Sequence, residues 1–151
     1  MKKIIYVSLT LLLLLLSSCK NQKPKEVYNP FATPEGCVKE YLAAEDSNNI
    51  AKMLNCFKYD AKYESILRES LQKKLDEKVK YRMYHPDTYY RNDYVKLKDT
   101  YPNSAVVSVY YTLVHENEKD KDWSDSYDLN LVKDSNNWKL EVRFSYSITA
   151  D

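Results

Sequence analysis

The hydrophobic period of the chain changes once, near residue 89, from the helical spacing to the strand spacing. Before that point apolar residues recur three and four positions apart, which places them on one face of a helix. After it, apolar and polar residues alternate, as they do along a strand with one buried face. The clearest alternation covers residues 138–148 and begins with Trp138, Leu140 and Val142. Helices followed by strands predict an α+β fold, with N-terminal helices packed on a curved antiparallel meander.

Three helices are predicted ahead of the sheet. The first begins at Thr33-Pro34-Glu35, which supplies a hydroxyl cap, a proline at the first helical position and an acid in the first turn. Residues 46–49 form a turn before the second, short helix. The apolar stripe of that helix is Ile50, Met53, Leu54 and Phe57. The stripe of the third helix is Ile66, Leu67, Leu71, Leu75 and Val79.

The predicted sheet has a central strand and a terminal hairpin. Residues 105–114 are largely apolar on both alternating faces, which favours a strand in the middle of the sheet. Residues 134–137, Asp-Ser-Asn-Asn, predict a tight turn between the last two strands. The charged residues 117–122 predict the loop that joins the central strand to the last two strands.

Gly36 is the single glycine of the 151-residue chain. A Walker loop, a dinucleotide-binding fingerprint and a Gly-x-Ser-x-Gly elbow each need several glycines, so all three are excluded. The formal net charge is +1, and phosphate binding needs a clear cationic excess, so we expect no nucleic-acid partner. Neither Cys-x-x-Cys nor His-x-x-x-His spacing occurs, and we predict no metal site and no cofactor.

The N-terminal sequence predicts that the protein is located in the bacterial cell envelope. Residues 1–18 join two lysines to 13 uncharged, mostly apolar residues, too few to span a bilayer, and predict a secretory signal peptide. Leu16-Ser17-Ser18-Cys19 resembles the bacterial lipobox, which implies cleavage before Cys19 and a diacylglyceryl thioether on its sulfur. With Lys20 directly after Cys19, the N-terminus resembles those of lipoproteins sent to the outer membrane. Whether the domain would face the periplasm or the cell surface is left open. Residues 19–32 predict the lipidated cysteine and a flexible tether.

The folded part resembles the nuclear transport factor 2-like superfamily, a cystatin-like α+β cone, and especially its bacterial lipoproteins of unknown function. The residues that carry the resemblance are Pro34, Val38, Tyr41, Ser47–Ile50, Phe57, Tyr127–Leu131 and Trp138–Val142. It implies a single domain over residues 33–151, whose sheet wraps the long helix and leaves a cavity open at one end. The cavity is an active site in some members and a binding pocket in others. By analogy, a homodimer through the open face of the sheet is an option.

Cys37 and Cys56 lie ten residues before and nine after a turn centred near residue 47, so a helical hairpin would bring them level. One interpretation is a disulfide bridge, which oxidising compartments permit and which would stabilise the domain by about 3 kcal/mol. The other is a pair of buried thiols, because free cysteine packs as a small hydrophobe.

Tyrosine is unusually frequent, with 15 residues in the chain. Its flat apolar ring and polar tip suit pockets and recognition surfaces. We predict that the cavity is lined by a set of five aromatic residues. They are Tyr41, Phe57, Tyr111, Tyr127 and Trp138. The alternative is that such rings fill the core and the outer face of the sheet.

The ionisable residues do not predict a catalytic group. His115 precedes Glu116, but neighbours in a strand point to opposite faces, so the pair need not meet. Asp128 and Glu141 alternate with apolar residues and should face water. We therefore find no acid assigned to an inward face.

The function favoured by the sequence is a lipid-anchored envelope protein whose domain binds a small molecule, a peptide or an envelope protein without catalysis. One alternative is an isomerase- or hydrolase-like enzyme acting in the cone, with His85, His115 or Asp93 as its ionisable group. Another is a structural or inhibitor-like interaction module whose core is filled by side chains.

Overall fold

The computed structural model describes residues 28–118 and 121–142. Several predicted features lie outside them: the signal peptide over residues 1–18, the lipidated Cys19, the tether up to residue 27, and the continuation of the last strand through Phe144 to residue 148. Of the helices in the described part of the chain, none is long and apolar enough to cross a membrane.

Helices precede the main strands, as the change of period predicts. The α-helices are α1 (Pro34–Asp46), α2 (Ile50–Asn55) and α3 (Glu64–Tyr84), with 3₁₀ turns at Pro30–Ala32 and Ala61–Tyr63. The strands are β1 (Phe57–Lys58), β2 (Thr88–Thr100), β3 (Ser104–His115), β4 (Trp123–Asp134) and β5 (Asn137–Glu141). They form one curved sheet in the order β1-β5-β4-β3-β2. The predicted antiparallel meander is confirmed for β2 to β5, and β1 adds a parallel edge next to β5.

The ends of α1 follow local sequence chemistry. The hydroxyl of Thr33 accepts a hydrogen bond from the N–H of Gly36 at 3.1 Å, which satisfies one of the free donors at the helix start. The chain leaves α1 through Asn48, whose φ of 52° lies in the left-handed region that asparagine tolerates. Asn49 then caps α2 by accepting from the N–H of Lys52. The predicted cap, turn and second helix start are therefore confirmed.

The core lies between α1 and the sheet. Its fully buried side chains include Val38 of α1, Val107 and Val109 of β3, and Leu131 and Leu140 of the following strands. β3 is hydrogen-bonded to β2 on one side and β4 on the other, which confirms its central position. We call the sheet face that carries these residues, and on which α1 packs, the concave face.

β2 forms one edge of the sheet and is irregular. Its pairing with β3 shifts register twice, between Asn92 and Tyr94 and between Leu97 and Asp99. Such bulges bend a strand and increase its twist. They help the sheet to curve around α1, which contacts β2, β3 and β5.

The prediction that Phe57 belongs to the second helix is wrong. α2 ends at Asn55, and Phe57 pairs in parallel register with Leu140. The N–H of Leu140 donates to the carbonyl of Cys56 at 2.7 Å, so a partner 84 residues away takes the chain out of the helix. The i+7 spacing from Ile50 fits a helix locally, but pairing with the sheet edge outweighs it.

The predicted stripe of α3 is only partly correct. Leu67, Leu71 and Leu75, spaced by four, are buried, whereas Ile66 and Val79 are each 53% exposed. Ile66 precedes Leu67 by one residue and so points about 100° away from the stripe. Val79 continues the spacing, but it lies past the end of α1: Lys78, the residue before it, pairs with Asp46, the last residue of α1, at 3.0 Å.

The two remaining cysteines are buried in this core. Cys37 and Cys56 are free thiols, both 0% exposed, and the Sγ of Cys37 donates to the carbonyl of Cys56 at 3.6 Å. Burial raises the pKa of Cys37 to about 11 and that of Cys56 to about 12. The structure thus contains the buried-thiol arrangement, and the bridge stays a prediction for the oxidised protein.

Gly36 allows the 3₁₀ turn before α1 to lie against the helix. A Cβ added at Gly36 would come 2.2 Å from the carbonyl oxygen of Pro30 and 2.9 Å from the hydroxyl of Thr33. Backbone atoms cannot yield as the end of a flexible side chain can. The chain therefore uses its single glycine for a close backbone approach.

We expect Gly36→Ala to lower the free energy of unfolding by about 1–2 kcal/mol, because overpacking outweighs the ~1 kcal/mol that alanine gains over glycine in a helix. Urea unfolding followed by tryptophan fluorescence measures the change. The control is Lys39→Ala at an exposed position of the same helix, which should alter stability by no more than about 0.5 kcal/mol. A stabilised Gly36→Ala protein would contradict the close-approach explanation.

Candidate binding face

The concave face continues beyond the part that α1 covers. Val109 pairs with Tyr127, and two residues further along β3, Tyr111 pairs with Asp125. Because alternate residues of a strand share a face, Tyr111, Asp125 and Tyr127 lie on the same side as the buried Val109. This end of the face therefore belongs to the core side of the sheet.

Five aromatic residues meet there, and we call them the aromatic array: Tyr81, Tyr90, Tyr111, Trp123 and Tyr127. Tyr81 of α3 has its ring centroid 5.6 Å from that of Tyr90 in β2, and Tyr90 is 5.7 Å from Tyr111 in β3. Tyr111 in turn lies 6.2 Å from Trp123 and 5.8 Å from Tyr127, both in β4. The array thus joins α3 to three strands.

The array is accessible, unlike the core beside it. Trp123 is 53% exposed, Tyr90 47% and Tyr127 37%, whereas Val109 is fully buried. The rings meet at steep angles of 39–77° rather than stacking. Two of the four contacts, Tyr90–Tyr111 and Tyr111–Trp123, are edge contacts, a geometry that aromatic pairs favour over face-to-face stacking.

An ion cluster lies beside the array, where α1 meets α3. The ammonium of Lys74 donates to the hydroxyl of Tyr41 at 2.9 Å and to the carboxylate of Glu45 at 2.8 Å. Lys78 lies 3.8 Å from Glu45 and 3.0 Å from Asp46. The Glu45 side chain is only 12% exposed. The expectation of no inward acid is therefore wrong: Glu45 of α1 is nearly buried, although two lysines neutralise it, and Asp125 of β4 lies on the concave face.

The pKa shifts follow from the same packing. Burial lowers the pKa of Lys74, but its interactions with Tyr41 and Glu45 outweigh burial and raise that pKa overall. Burial raises the pKa of Tyr127 to about 12, against the opposing effect of the Lys74 charge. The charges of Lys74 and Glu45 both act on this phenol, so Tyr127 lies near the ion cluster, although 37% of the residue is exposed.

The structure brings together three of the five predicted pocket residues. Tyr111 and Tyr127 belong to the array, and Tyr41 lies next to it through Lys74. Phe57 packs edge-on against Tyr41, with centroids 5.5 Å apart, on the core side. Trp138 is 8% exposed and lies at the β4–β5 hairpin, where it pairs with Lys133. Their joint role in lining a ligand pocket stays a prediction.

Three array residues were missed by the sequence reasoning. Trp123 could have been found, because it has the same parity as Tyr127 along one strand. Tyr90 could not have been found in this way. The β2 bulges between residues 92 and 99 break the alternation, so the face of Tyr90 does not follow from the residues after them. Tyr81 lies on a helix, and no local pattern predicts which strand a helical residue meets.

The ionisable residues considered for catalysis have three different surroundings, and only His85 contacts a ring of the array. Asp93 accepts from Thr112 at 2.7 Å and from Arg91 at 2.8 Å on the outer face, and these hydrogen bonds lower its pKa. Nδ1 of His115 lies 3.4 Å from the hydroxyl of Thr88. His85 ends α3 and its ring lies 4.6 Å from that of Tyr81. The three do not converge on one site.

The outer face also carries a groove of about 400 Å³. Asp128 lies on its floor and accepts from Lys98 and from Ser108, so that its charge is compensated within the chain. Asp128 and Glu141 are exposed, as predicted. Among residues 28–118 and 121–142, no group of His, Cys, Asp and Glu could hold a metal ion.

Comparison with known proteins identifies the fold. No protein-family model matches the chain, and no curated protein matches it. A solved structure from Campylobacter jejuni, provisionally described as an NTF2-like transpeptidase, superposes with a TM-score of 0.52 at 12% identity, over 74% of this chain and 99% of that one. This likeness shows the fold alone, an NTF2-like α+β cone.

Two other solved structures match less closely. A SEC-C motif containing protein from Rhodopseudomonas palustris has a TM-score of 0.44 at 10% identity, over 74% of this chain and 77% of that one. An NTF-2 like protein of unknown function from Shewanella oneidensis MR-1 has a TM-score of 0.38 at 12% identity, over 69% and 88%.

The raised pKa of Tyr127 predicts a loss of stability in alkali. The unfolded phenol, with an ordinary pKa of 10.0, releases its proton before the folded one does at about 12. The folded state then holds more protons, so the free energy of unfolding should fall as pH rises from about 10 to 12. We expect Tyr127→Phe to make this fall smaller in urea unfolding across that range. Tyr28→Phe, at a residue 79% exposed, is the control, and an equal effect of both changes would contradict the prediction.

Proposed function

We propose that this protein is a lipid-anchored component of the bacterial cell envelope whose NTF2-like domain binds a ligand or partner without catalysing a reaction. The observation that carries the proposal is the exposed aromatic array at the uncovered end of the concave face. Tyrosine and tryptophan combine a large apolar surface with a polar tip, and both are enriched where proteins bind other molecules.

The rigidity of the array supports binding. Four of its five residues lie on β2, β3 and β4, which hydrogen-bond to one another over most of their length. Rings fixed on strands lose little conformational freedom when a ligand arrives, so less of the interaction energy is spent on ordering them. A contiguous exposed apolar patch in a folded domain is itself a mark of an interaction site.

Catalysis is less well supported by the groups near the array. General acid–base chemistry at neutral pH needs a group whose pKa matches the task, which burial commonly provides, but Glu45 is held by Lys74 and Lys78. Asp125, beside the array, is exposed. The Campylobacter jejuni protein is described as a transpeptidase, and acyl transfer commonly uses an activated nucleophile. Here Cys37 and Cys56 are fully buried with raised pKa values, which opposes thiolate formation.

The proposed anchor is the lipidated Cys19. Two or three acyl chains on this residue would hold the protein durably, since each buried methylene contributes about 0.8 kcal/mol. The residues from 20 to 28 would then act as the tether, because the predicted tether ends early: the 3₁₀ turn at Pro30–Ala32 already packs on the domain. The proposed destination is the outer membrane.

The anchor is tested by expressing Cys19→Ser in a bacterial host. We expect the wild-type protein to remain in the carbonate-washed membrane fraction and its N-terminal peptide to carry the mass of a diacylglyceryl group. Cys19→Ser should lose both, whereas Asn21→Ser, two residues away, should keep both. Membrane retention of Cys19→Ser equal to that of the wild type would refute the anchor.

The binding face is tested by a thermal-shift screen of metabolites, glycans and peptides against the full chain carrying Cys19→Ser. A ligand at about 100 times its Kd should stabilise the protein by ~2.7 kcal/mol, a rise of several degrees in Tm. We expect Tyr90→Ser to abolish the rise. Tyr94→Ser is the matched control, because Tyr94 lies on the same strand, is 57% exposed and stacks on Tyr110 of the outer face. Turnover of the ligand, or equal loss in both variants, would overturn the proposal.

A further inference from the structure

A carboxylate stands within the aromatic array. Asp125 lies between Trp123 and Tyr127 along β4, and alternate residues of a strand share a face. Its partner across the strand pair is Tyr111, so their Cβ atoms should be about 4.5–5.5 Å apart. Three aromatic side chains therefore surround one acidic side chain on the concave face.

Within residues 28–118 and 121–142, no lysine or arginine compensates the charge of Asp125. Its Oδ1 accepts a hydrogen bond from the backbone N–H of Ser126 at 2.7 Å. In the part of the chain that the structure describes, Asp125 forms no ion pair with a lysine or arginine, whereas Asp93 and Asp128 on the outer face each have one. The pKa of Tyr111 is raised first by burial and then by the charge of Asp125, which places that charge next to the phenol.

A primary ammonium ion is already held nearby by a tyrosine and a carboxylate. Lys74 donates to the hydroxyl of Tyr41 at 2.9 Å, 5.1 Å from the centroid of that ring, and to the carboxylate of Glu45. An aromatic face attracts a cation through the negative region of its quadrupole. Tyr111 and Asp125 offer the same combination of ring and carboxylate, with Trp123 and Tyr127 as further rings.

We propose that Asp125, Tyr111, Trp123 and Tyr127 bind the quaternary ammonium group of an organic cation. This inference rests on the proposed binding function of the face and names the ligand chemistry. A quaternary ammonium is weakly hydrated and donates no N–H bonds, so ring faces and one carboxylate suffice for it. Mg²⁺ and Ca²⁺ take six or more oxygen ligands, Zn²⁺ prefers several His or Cys ligands, and a primary ammonium is strongly hydrated and seeks several acceptors.

Two sources could present this group: a free solute such as choline or the headgroup of a phosphatidylcholine membrane. The first arm of the test titrates the full chain carrying Cys19→Ser with tetramethylammonium chloride, against sodium chloride at equal ionic strength. Trp123 is exposed and should report binding by a saturable change in fluorescence. The second arm measures co-sedimentation with phosphatidylcholine vesicles and with phosphatidylglycerol vesicles.

Asp125→Asn keeps the shape of the side chain and removes its charge, and we expect it to weaken tetramethylammonium binding by about two- to fivefold. Asp128→Asn, on the same strand but the outer face, should leave the affinity unchanged. Tyr111→Leu should also weaken binding, and a urea midpoint for each variant verifies folding. Saturation by tetramethylammonium supports the proposal; vesicle binding in addition identifies the headgroup as the source, and its absence identifies a free solute.

No saturable response beyond that of sodium, or equal affinity in wild type and Asp125→Asn, would overturn the proposal. The thermal-shift screen distinguishes this failure from a failure of the proposed function. If a ligand stabilises the protein only when Tyr90 is present, but tetramethylammonium does not bind, the proposed binding function is supported and the proposed cation specificity is refuted. If neither the screen nor the titration gives binding, both proposals fail.

Discussion

The hydrogen bond from Leu140 to the carbonyl of Cys56 joins the end of the helical layer to the edge of the sheet. It fixes the register of β5, and through the Leu131–Leu140 pair it fixes which side chains of β4 face the helices. A slip of one residue would turn every side chain to the other face. The contact between residues 84 positions apart and the continuous pairing of β4 with β3 therefore specify the same faces, with the core under α1 and Tyr127 on the concave side.

Much of the fold could be predicted because its signals are local. Thr33 and Pro34 begin a helix by hydrogen-bonding and φ preferences that need no tertiary structure, and the turn at 134–137 has the same origin. Phe57 could not be predicted from local sequence. Its spacing suits α2, but a strand far along the chain pairs with it. The extent of burial on α3 also depends on tertiary structure, since the length of α1 decides which turns of α3 are covered.

The candidate site was predicted only in part, for a related reason. Tyr111 and Tyr127 follow from alternation along single strands, and the sequence predicts both. Tyr81, Tyr90 and Glu45 reach the same region from α3, a bulged strand and the last turn of α1. Their proximity is a product of helix placement and register. A binding face assembled from several elements is therefore less visible in the sequence than the core on which it rests.

The irregular edge strand β2 has a consequence for a protein held at a membrane, as proposed above. Tethering concentrates copies in two dimensions, and a straight, unpaired strand of 13 residues would invite neighbouring copies to polymerise edge to edge. The two shifts in β2 interrupt its row of donors and acceptors, and Lys96 between them places a charge there. The bend that shapes the cone thus also opposes edge-to-edge pairing between neighbouring copies.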